Sequence, residues 1–326
     1  MPSGLPAADR TGVRLWRQFD RVTPSMTGAA VVPRILPLMR VHAVFERVRV
    51  AVAAVLSGVL LTSCAAEDAM DHPASAGRRA AESESVPADD VEQLRVEVLE
   101  DLPHDPQAFT QGLEMAGSTL YEGTGLAGRS SVRAGPPGGR PTVHTALPAP
   151  LFGEGITVLG RNLWQLTWRN RIAIERDART LSEVRRVPYP DEGWGVCHQR
   201  PGNRLATSDG SSQLTFRDPR TLAKTGDITV TQDGLPVTGL NELECVDEAV
   251  YANILPTNRI VRIDSTTGAV TASIDASGLL REDERVHGSV LNGIAAVPGT
   301  DQFLITGKLW PKTFRVVFVP AKPRAR

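Results

Sequence analysis

Leu151-Phe-Gly-Glu-Gly-Ile-Thr-Val-Leu-Gly-Arg-Asn-Leu-Trp-Gln-Leu-Thr-Trp168 holds two apolar runs joined by the turn Leu159-Gly160-Arg161-Asn162. Such a stretch reads as two antiparallel strands. It also places one carboxylate, Glu154, between two glycines at the start of the first strand. Glycine lets backbone and a bound molecule approach closely, so the setting suits proton transfer. Taken alone, the same residues also describe an exposed surface turn.

The pattern recurs. From Leu94 onward five segments share a Gly or Asn near the start, an alternating apolar run, a turn and a second strand. They begin at Phe109, Phe152, Gly193, Leu240 and Leu291, roughly 40 to 50 residues apart, which is the period of a four-stranded blade. Further strands follow within units, such as Leu214–Asp218, or Ile260–Asp264 with Ala269–Ile274 across a Thr-Thr-Gly turn. The expected fold is all-β, a five-bladed β-propeller over residues 94–320. Leu94–Leu99 is expected to close the ring beside the last blade. A β-sandwich is the competing architecture.

Composition agrees with a turn-rich β protein: the 326 residues include 29 Gly and 24 Pro. Net charge is −1 and no Lys/Arg block occurs in the second half, which argues against nucleic acid as a partner. Residues 1–38 read as an untranslated or unstructured extension. Met39 then opens a signal-peptide plan over 39–63, with Arg40, Arg47 and Arg49 ahead of the apolar run Val50–Thr62. Leu61-Thr62-Ser63-Cys64 is similar to a bacterial lipobox, so Cys64 is the expected lipidation site and the protein is expected to be exported and lipid-anchored. An ordinary secretory signal is the alternative. Residues 64–93, rich in Ala, Ser, Pro and charge, read as a flexible linker. Cys197 and Cys245 lie in apolar strand-like contexts and are expected to be buried free thiols.

In a propeller the inner strands start at one mouth. The five segment starts would bring Gln111, Glu154, Trp194, Asn241 and Glu242 together, with Trp168 and Lys308 one strand further on. Trp164, Trp168, Trp194 and Trp310 all belong to these stretches in a chain with 5% aromatics, which favours an apolar pocket with a few polar groups. A core role is the alternative for Trp164.

Nine ordered blocks make a family resemblance specific. They are Phe109-Thr-Gln-Gly-Leu113, Gly128-Arg-Ser-Ser-Val-Arg133, Phe152-Gly-Glu-Gly155, Gln165-Leu-Thr-Trp168, Glu192-Gly-Trp-Gly195, Ser208-Asp-Gly-Ser-Ser212, Leu240-Asn-Glu-Leu-Glu244, Leu291-Asn-Gly-Ile294 and Thr306-Gly-Lys-Leu-Trp-Pro311. Over Leu94 to Val319 the chain resembles the plant-type glutaminyl-peptide cyclotransferase (glutamine cyclotransferase) family. The resemblance implies a five-bladed propeller that converts the N-terminal glutamine of a peptide to pyroglutamate and releases ammonia. It implies Glu154 as proton shuttle, with Lys308 and Asn241 as polar groups at the reacting amide; either could stabilise the oxyanion. Phe109, Gln111, Trp168 and Trp194 are implied to bind the substrate. Leu255 departs from the pattern, standing where the family usually has a tryptophan. The loop Ala134–Pro141 stands in place of an outer hairpin.

No cofactor is expected. The 6 histidines (His42, His72, His104, His144, His198, His287) show no ligand spacing. A structural Ca²⁺ stays open, though no EF-hand pattern occurs. The expected partner is a peptide or protein with N-terminal Gln, and the expected state a monomer. A non-catalytic binding propeller at the cell surface and a calcium-dependent lactonase-like hydrolase are the competing functions.

Overall fold

The inner strand of each repeat must satisfy two neighbours, and its burial shows it. Gly153–Leu159 is buried at every position but the last, whereas the outermost strand of the same unit, Glu183–Pro188, is almost wholly exposed. The computed structural model describes residues 91–321. The extension, the signal segment, Cys64 and nearly all of the linker therefore lie outside the described residues.

The first strand, β1 (Glu92–Pro103), begins inside the stretch read as linker and runs past Leu99. Four-stranded antiparallel meanders follow. The first contains β2 (Thr110–Ala116), β3 (Thr119–Thr124), β4 (Ser131–Gly135) and β5 (Val143–Ala146). The second contains β6 (Gly153–Leu159), β7 (Asn162–Thr167), β8 (Ile172–Asp177) and β9 (Glu183–Pro188). The third contains β10 (Val196–Gln199), β11 (Arg204–Thr207), β12 (Gln213–Arg217) and β13 (Lys224–Thr229). A two-stranded ribbon, β14 (Thr231–Gln232) with β15 (Leu235–Pro236), leads into the last sheet.

That sheet has eight strands. Its halves are β16 (Leu240–Val246), β17 (Ala249–Ile254), β18 (Arg259–Asp264) and β19 (Val270–Asp275), then β20 (Val290–Ala296), β21 (Phe303–Lys308) and β22 (Lys312–Pro320) with β1. β1 joins them: it pairs antiparallel with β22 from Leu94↔Pro320 to Pro103↔Lys312, and parallel with β19 from Glu92↔Ala272 to Arg95↔Asp275. The N-terminal strand thus pairs with the C-terminal one, as expected from Leu94–Leu99. The fold is all-β; among the described residues the one helical element recorded is a 3-10 turn at Glu282–Glu284.

The inner strands pack in order: β2 on β6, β6 on β10, β10 on β16, β16 on β20 and β20 back on β2. Apolar cores lie between successive sheets and between the two halves of the eight-stranded one. Val132, Ile156 and Leu163 share one, and Leu166, Tyr189 and Leu205 the next. Ala206, Leu240 and Val261 share a third, and Ile260, Leu291 and Ile305 a fourth. Leu113, Met115, Ala295 and Leu304 join the last pair to the first. Each fully buried large aliphatic stabilises the fold by about 1.5–3 kcal/mol.

Three expectations are corrected. Cys197 and Cys245 form a disulfide rather than two free thiols, because β10 and β16 pack side by side and bring their Cα atoms to 5.4 Å. The segment 134–141 does not replace an outer hairpin: β4 and β5 pair across it from Ser131↔Ala146 to Ala134↔Val143. Trp310 is a core residue, 4% exposed, set edge-on against Phe314. Trp164 is also core, its Nε1–H donating to the Pro219 carbonyl at 2.9 Å.

Candidate active site

Four inner strands break register at the residues the repeat singles out. Pairing skips between Thr110 and Gly112, Gly153 and Ile156, Leu240 and Leu243, and Leu291 and Ile294. The skipped residues are Gln111, Glu154–Gly155, Asn241–Glu242 and Asn292–Gly293. A bulge leaves a residue out of the ladder and re-aims its side chain. In the remaining strand, Trp194 and Gly195 sit just ahead of β10. One polar or aromatic side chain per repeat therefore occupies the same offset.

Close backbone approach holds these starts together. A Cβ on Gly155 would lie 2.5 Å from the Trp194 carbonyl oxygen, and one on Gly195 would lie 2.1 Å from that of Asn241. The Gly155 N–H donates to the Trp194 carbonyl at 2.8 Å. The Gly195 N–H donates to Ser208 Oγ at 2.8 Å, and that hydroxyl donates to the Asn241 carbonyl at 2.6 Å. Gly293 has φ 133°, a conformation natural only to glycine, beside Asn292.

Glu154 is 4% exposed and accepts from Gln111 Nε2 at 3.0 Å. Burial pushes its carboxyl well above the usual range; Lys308 opposes that and Glu192 adds to it. Lys308 is fully buried, and burial brings its ammonium down to about 7 against the opposing charge of Glu154. Its Nζ lies 4.9 Å from the centre of the Phe109 ring, a cation–π contact. Phe109, Phe152 and Trp168 form an edge-to-face series with centroids 6.2 and 5.4 Å apart. Trp168 is half-buried; its Nε1–H donates to Glu192, and Arg169 lies over its ring at 4.1 Å.

Asn241 is 2% exposed, and its Oδ1 has no partner among the described residues; the same holds for Trp194 Nε1. Buried polar atoms left unpaired cost about 1–3 kcal/mol each, so these are atoms that a polar ligand would satisfy. The Trp194 ring lies over Gly210, where a Cβ would come within 2.5 Å of it. Leu255 is half-buried; its N–H donates to the Gly239 carbonyl, and the Gly239 N–H donates to that of Gly210. Leu255 is thus linked by backbone to Gly210, against which the Trp194 ring packs.

Glu242 is set apart from this group. Its carboxylate accepts from the Leu113 and Ile294 N–H groups at 3.1 and 2.8 Å, tying β16 to β2 and β20. Behind Gln111 and Lys308 lies a second network. Glu122 accepts from Thr110 Oγ1 at 2.8 Å, from Arg133 Nε at 2.8 Å and from His104 Nε2 at 3.1 Å. Burial alone would raise Glu122, but His104 and Arg133 hold it at about 2. His104 also bonds the Trp310 carbonyl at 2.7 Å; burial would lower its pKa, and the Glu122 charge raises it overall.

Sequence reasoning assigned no role to Asn292, Glu192 or Phe152. Asn292 was detectable from its offset, the same as that of Asn241 in its unit. Glu192 and Phe152 lie inside quoted motifs, but only their contacts with Trp168 mark them out. Among the described residues no group of three or more His, Cys, Asp or Glu could hold a metal ion.

A family model described as glutamine cyclotransferase matches residues 72–318. The chain belongs to the glutamine cyclotransferase family. It is 38% identical over 237 residues to a glutaminyl-peptide cyclotransferase of Arabidopsis thaliana, covering 71% of this chain and 73% of that protein. It is also similar to the crystal structure of Myxococcus xanthus glutaminyl cyclase, with 33% identity and a TM-score of 0.65 over 72% of this chain and all of that one. Of the expected site residues, Gln111 touches Glu154 and Lys308 touches Phe109, and the charges of Glu154 and Lys308 join the two pairs. Trp168, Trp194 and Asn241 join them through Phe152 and the Gly155–Gly195 approach, and Leu255 through Gly239.

Proposed function

We propose that this family member is a five-bladed β-propeller that cyclises the N-terminal glutamine of peptides to pyroglutamate, releasing ammonia. Support for five blades comes from the circular packing order of the strands β2, β6, β10, β16 and β20, with Leu113, Met115, Ala295 and Leu304 joining β20 and β21 back to β2. Support for the chemistry rests on one observation: a buried carboxylate, Glu154, hydrogen-bonded by Gln111 and electrostatically coupled to Lys308, at the start of an inner strand.

The substrate α-amine attacks its own γ-carbonyl, so the reaction needs a folded-back side chain held in place. Phe109, Trp168 and Trp194 supply the walls. Glu154 takes a proton from the attacking amine and returns one to the departing nitrogen. Its raised pKa brings carboxylate and carboxylic acid closer in energy near neutral pH, which a group that both accepts and donates requires. Lys308 stabilises the oxyanion, with the Asn241 side chain orienting the substrate through its unpaired Oδ1. In this mechanism no metal takes part.

The test is a coupled ammonia assay on Gln-initiated dipeptides, with and without EDTA, for the wild type and Glu154→Gln. Activity should survive chelation and fall by about 10²–10⁴-fold in the variant. Full activity in Glu154→Gln would exclude the shuttle. No ammonia from the wild type would favour a non-catalytic binding propeller.

A further inference from the structure

Asn292 occupies, in the fifth repeat, the bulged offset held by Glu154 in the second and Asn241 in the fourth. It is fully buried, and its orientation is determined by its partners. Its Nδ2 lies 3.0 Å from the Thr110 carbonyl oxygen. A carbonyl only accepts, so the amide nitrogen of Asn292 must face it. The same Nδ2 lies 3.2 Å from Gln111 Oε1 and donates its second proton there. Gln111 is then left with Nε2 toward Glu154, donating at 3.0 Å.

We propose that Asn292 is a positioning residue: anchored on the Thr110 carbonyl, it holds the Gln111 amide in the one orientation that donates to Glu154. This rests on the cyclase reading above, with Glu154 as the shuttle. An unanchored glutamine amide can turn over and present Oε1 to Glu154. The carboxylate then loses its donor, and its protonated form gains an acceptor. Both effects disfavour ionised Glu154, the form that must take the proton from the substrate amine. The other charged groups bearing on Glu154 are Lys308 on β21 and Glu192 ahead of β10, and an uncharged replacement at 292 alters neither charge.

The test is a double-mutant cycle read on the acid limb of the kcat/KM–pH profile for a Gln-initiated dipeptide, using Asn292→Leu, Gln111→Leu and the double variant. Loss of one charge-assisted hydrogen bond should move the limb up by about one pH unit in each single variant. The double variant should move no further than Gln111→Leu alone, because both changes remove the same bond. Circular dichroism and melting curves establish folding, and Asn292→Ala replaces the leucine variant if the larger side chain cannot be seated. A limb that moves in Gln111→Leu but stays in place in the Asn292 variant overturns the relay, as do shifts that add in the double variant. A limb unmoved by both Gln111→Leu and Glu154→Asp overturns the Glu154 reading, and the relay with it.

Discussion

Glu154 and Lys308 are each buried deeply enough that neither holds its charge easily, and each charge favours the other. Burial acts on them in opposite directions, raising the acid and bringing the ammonium down to about 7. The sign for activity follows. In the proposed mechanism ionised Glu154 takes the amine proton and charged Lys308 meets the oxyanion. Activity should therefore fall below the Glu154 pKa and again above about 7, as Lys308 loses its proton. Lys308→Met removes the charge that holds Glu154 down, so the acid limb should move to higher pH while the alkaline limb disappears. The maximal rate should drop by about 10²–10³-fold, the usual cost of losing one oxyanion donor. An alkaline limb that persists in Lys308→Met would show that another group titrates there.

The elements that carry these residues are inner strands whose ladders are interrupted where the side chain must leave the sheet. The interruptions depend on neighbouring backbones coming almost into contact. At Gly195 a Cβ would lie 2.1 Å from the Asn241 carbonyl oxygen and 2.8 Å from Leu243 Cγ. Gly195→Ala must push β10 and β16 apart. Overpacking of this kind costs about 1–3 kcal/mol, more than the gain of about 0.4–1 kcal/mol from restricting the unfolded chain. A lower melting temperature is expected, together with reduced turnover as the Asn241 carbonyl shifts. An unchanged melting curve would contradict the close approach. The Glu122 network acts at the same level, linking Thr110 on β2, Arg133 on β4 and His104 ahead of the first meander.

Among the described residues, a covalent tie and the two pairings of β1 link parts remote in sequence. Cys197 on β10 and Cys245 on β16 are 48 residues apart, and closing a loop of that length stabilises the fold by about 4 kcal/mol in the chain-entropy account. Cys245→Ala should lower the urea midpoint accordingly, and reduction of the wild type should bring it close to the variant. A wild type insensitive to reductant would show that the bridge does not form. β1 does the equivalent without a covalent bond, pairing the N-terminal strand with β22 and β19. Removing residues 92–103 would expose edges on both.

The all-β class, the repeat and its offset were legible in the sequence, because apolar alternation and turn residues are local signals with a fixed period. So was Glu154 as a candidate, since its Gly-Glu-Gly setting lies within three residues. Three things could not be read that way. The disulfide depended on which strands lie side by side. Trp164 and Trp310 look like Trp168 and Trp194 in the chain, and only packing separates the two buried indoles from the two half-buried ones. The orientation of Gln111 is set by Asn292, 181 residues away. The segment from Leu151 to Trp168 determined by itself only two apolar runs and a turn; the recurrence of that pattern along the chain was needed to decide against an exposed surface turn and to single out the Glu154 carboxylate. Its proton affinity was decided by the tertiary structure, because Lys308, Gln111 and the burial that shift it come from other strands.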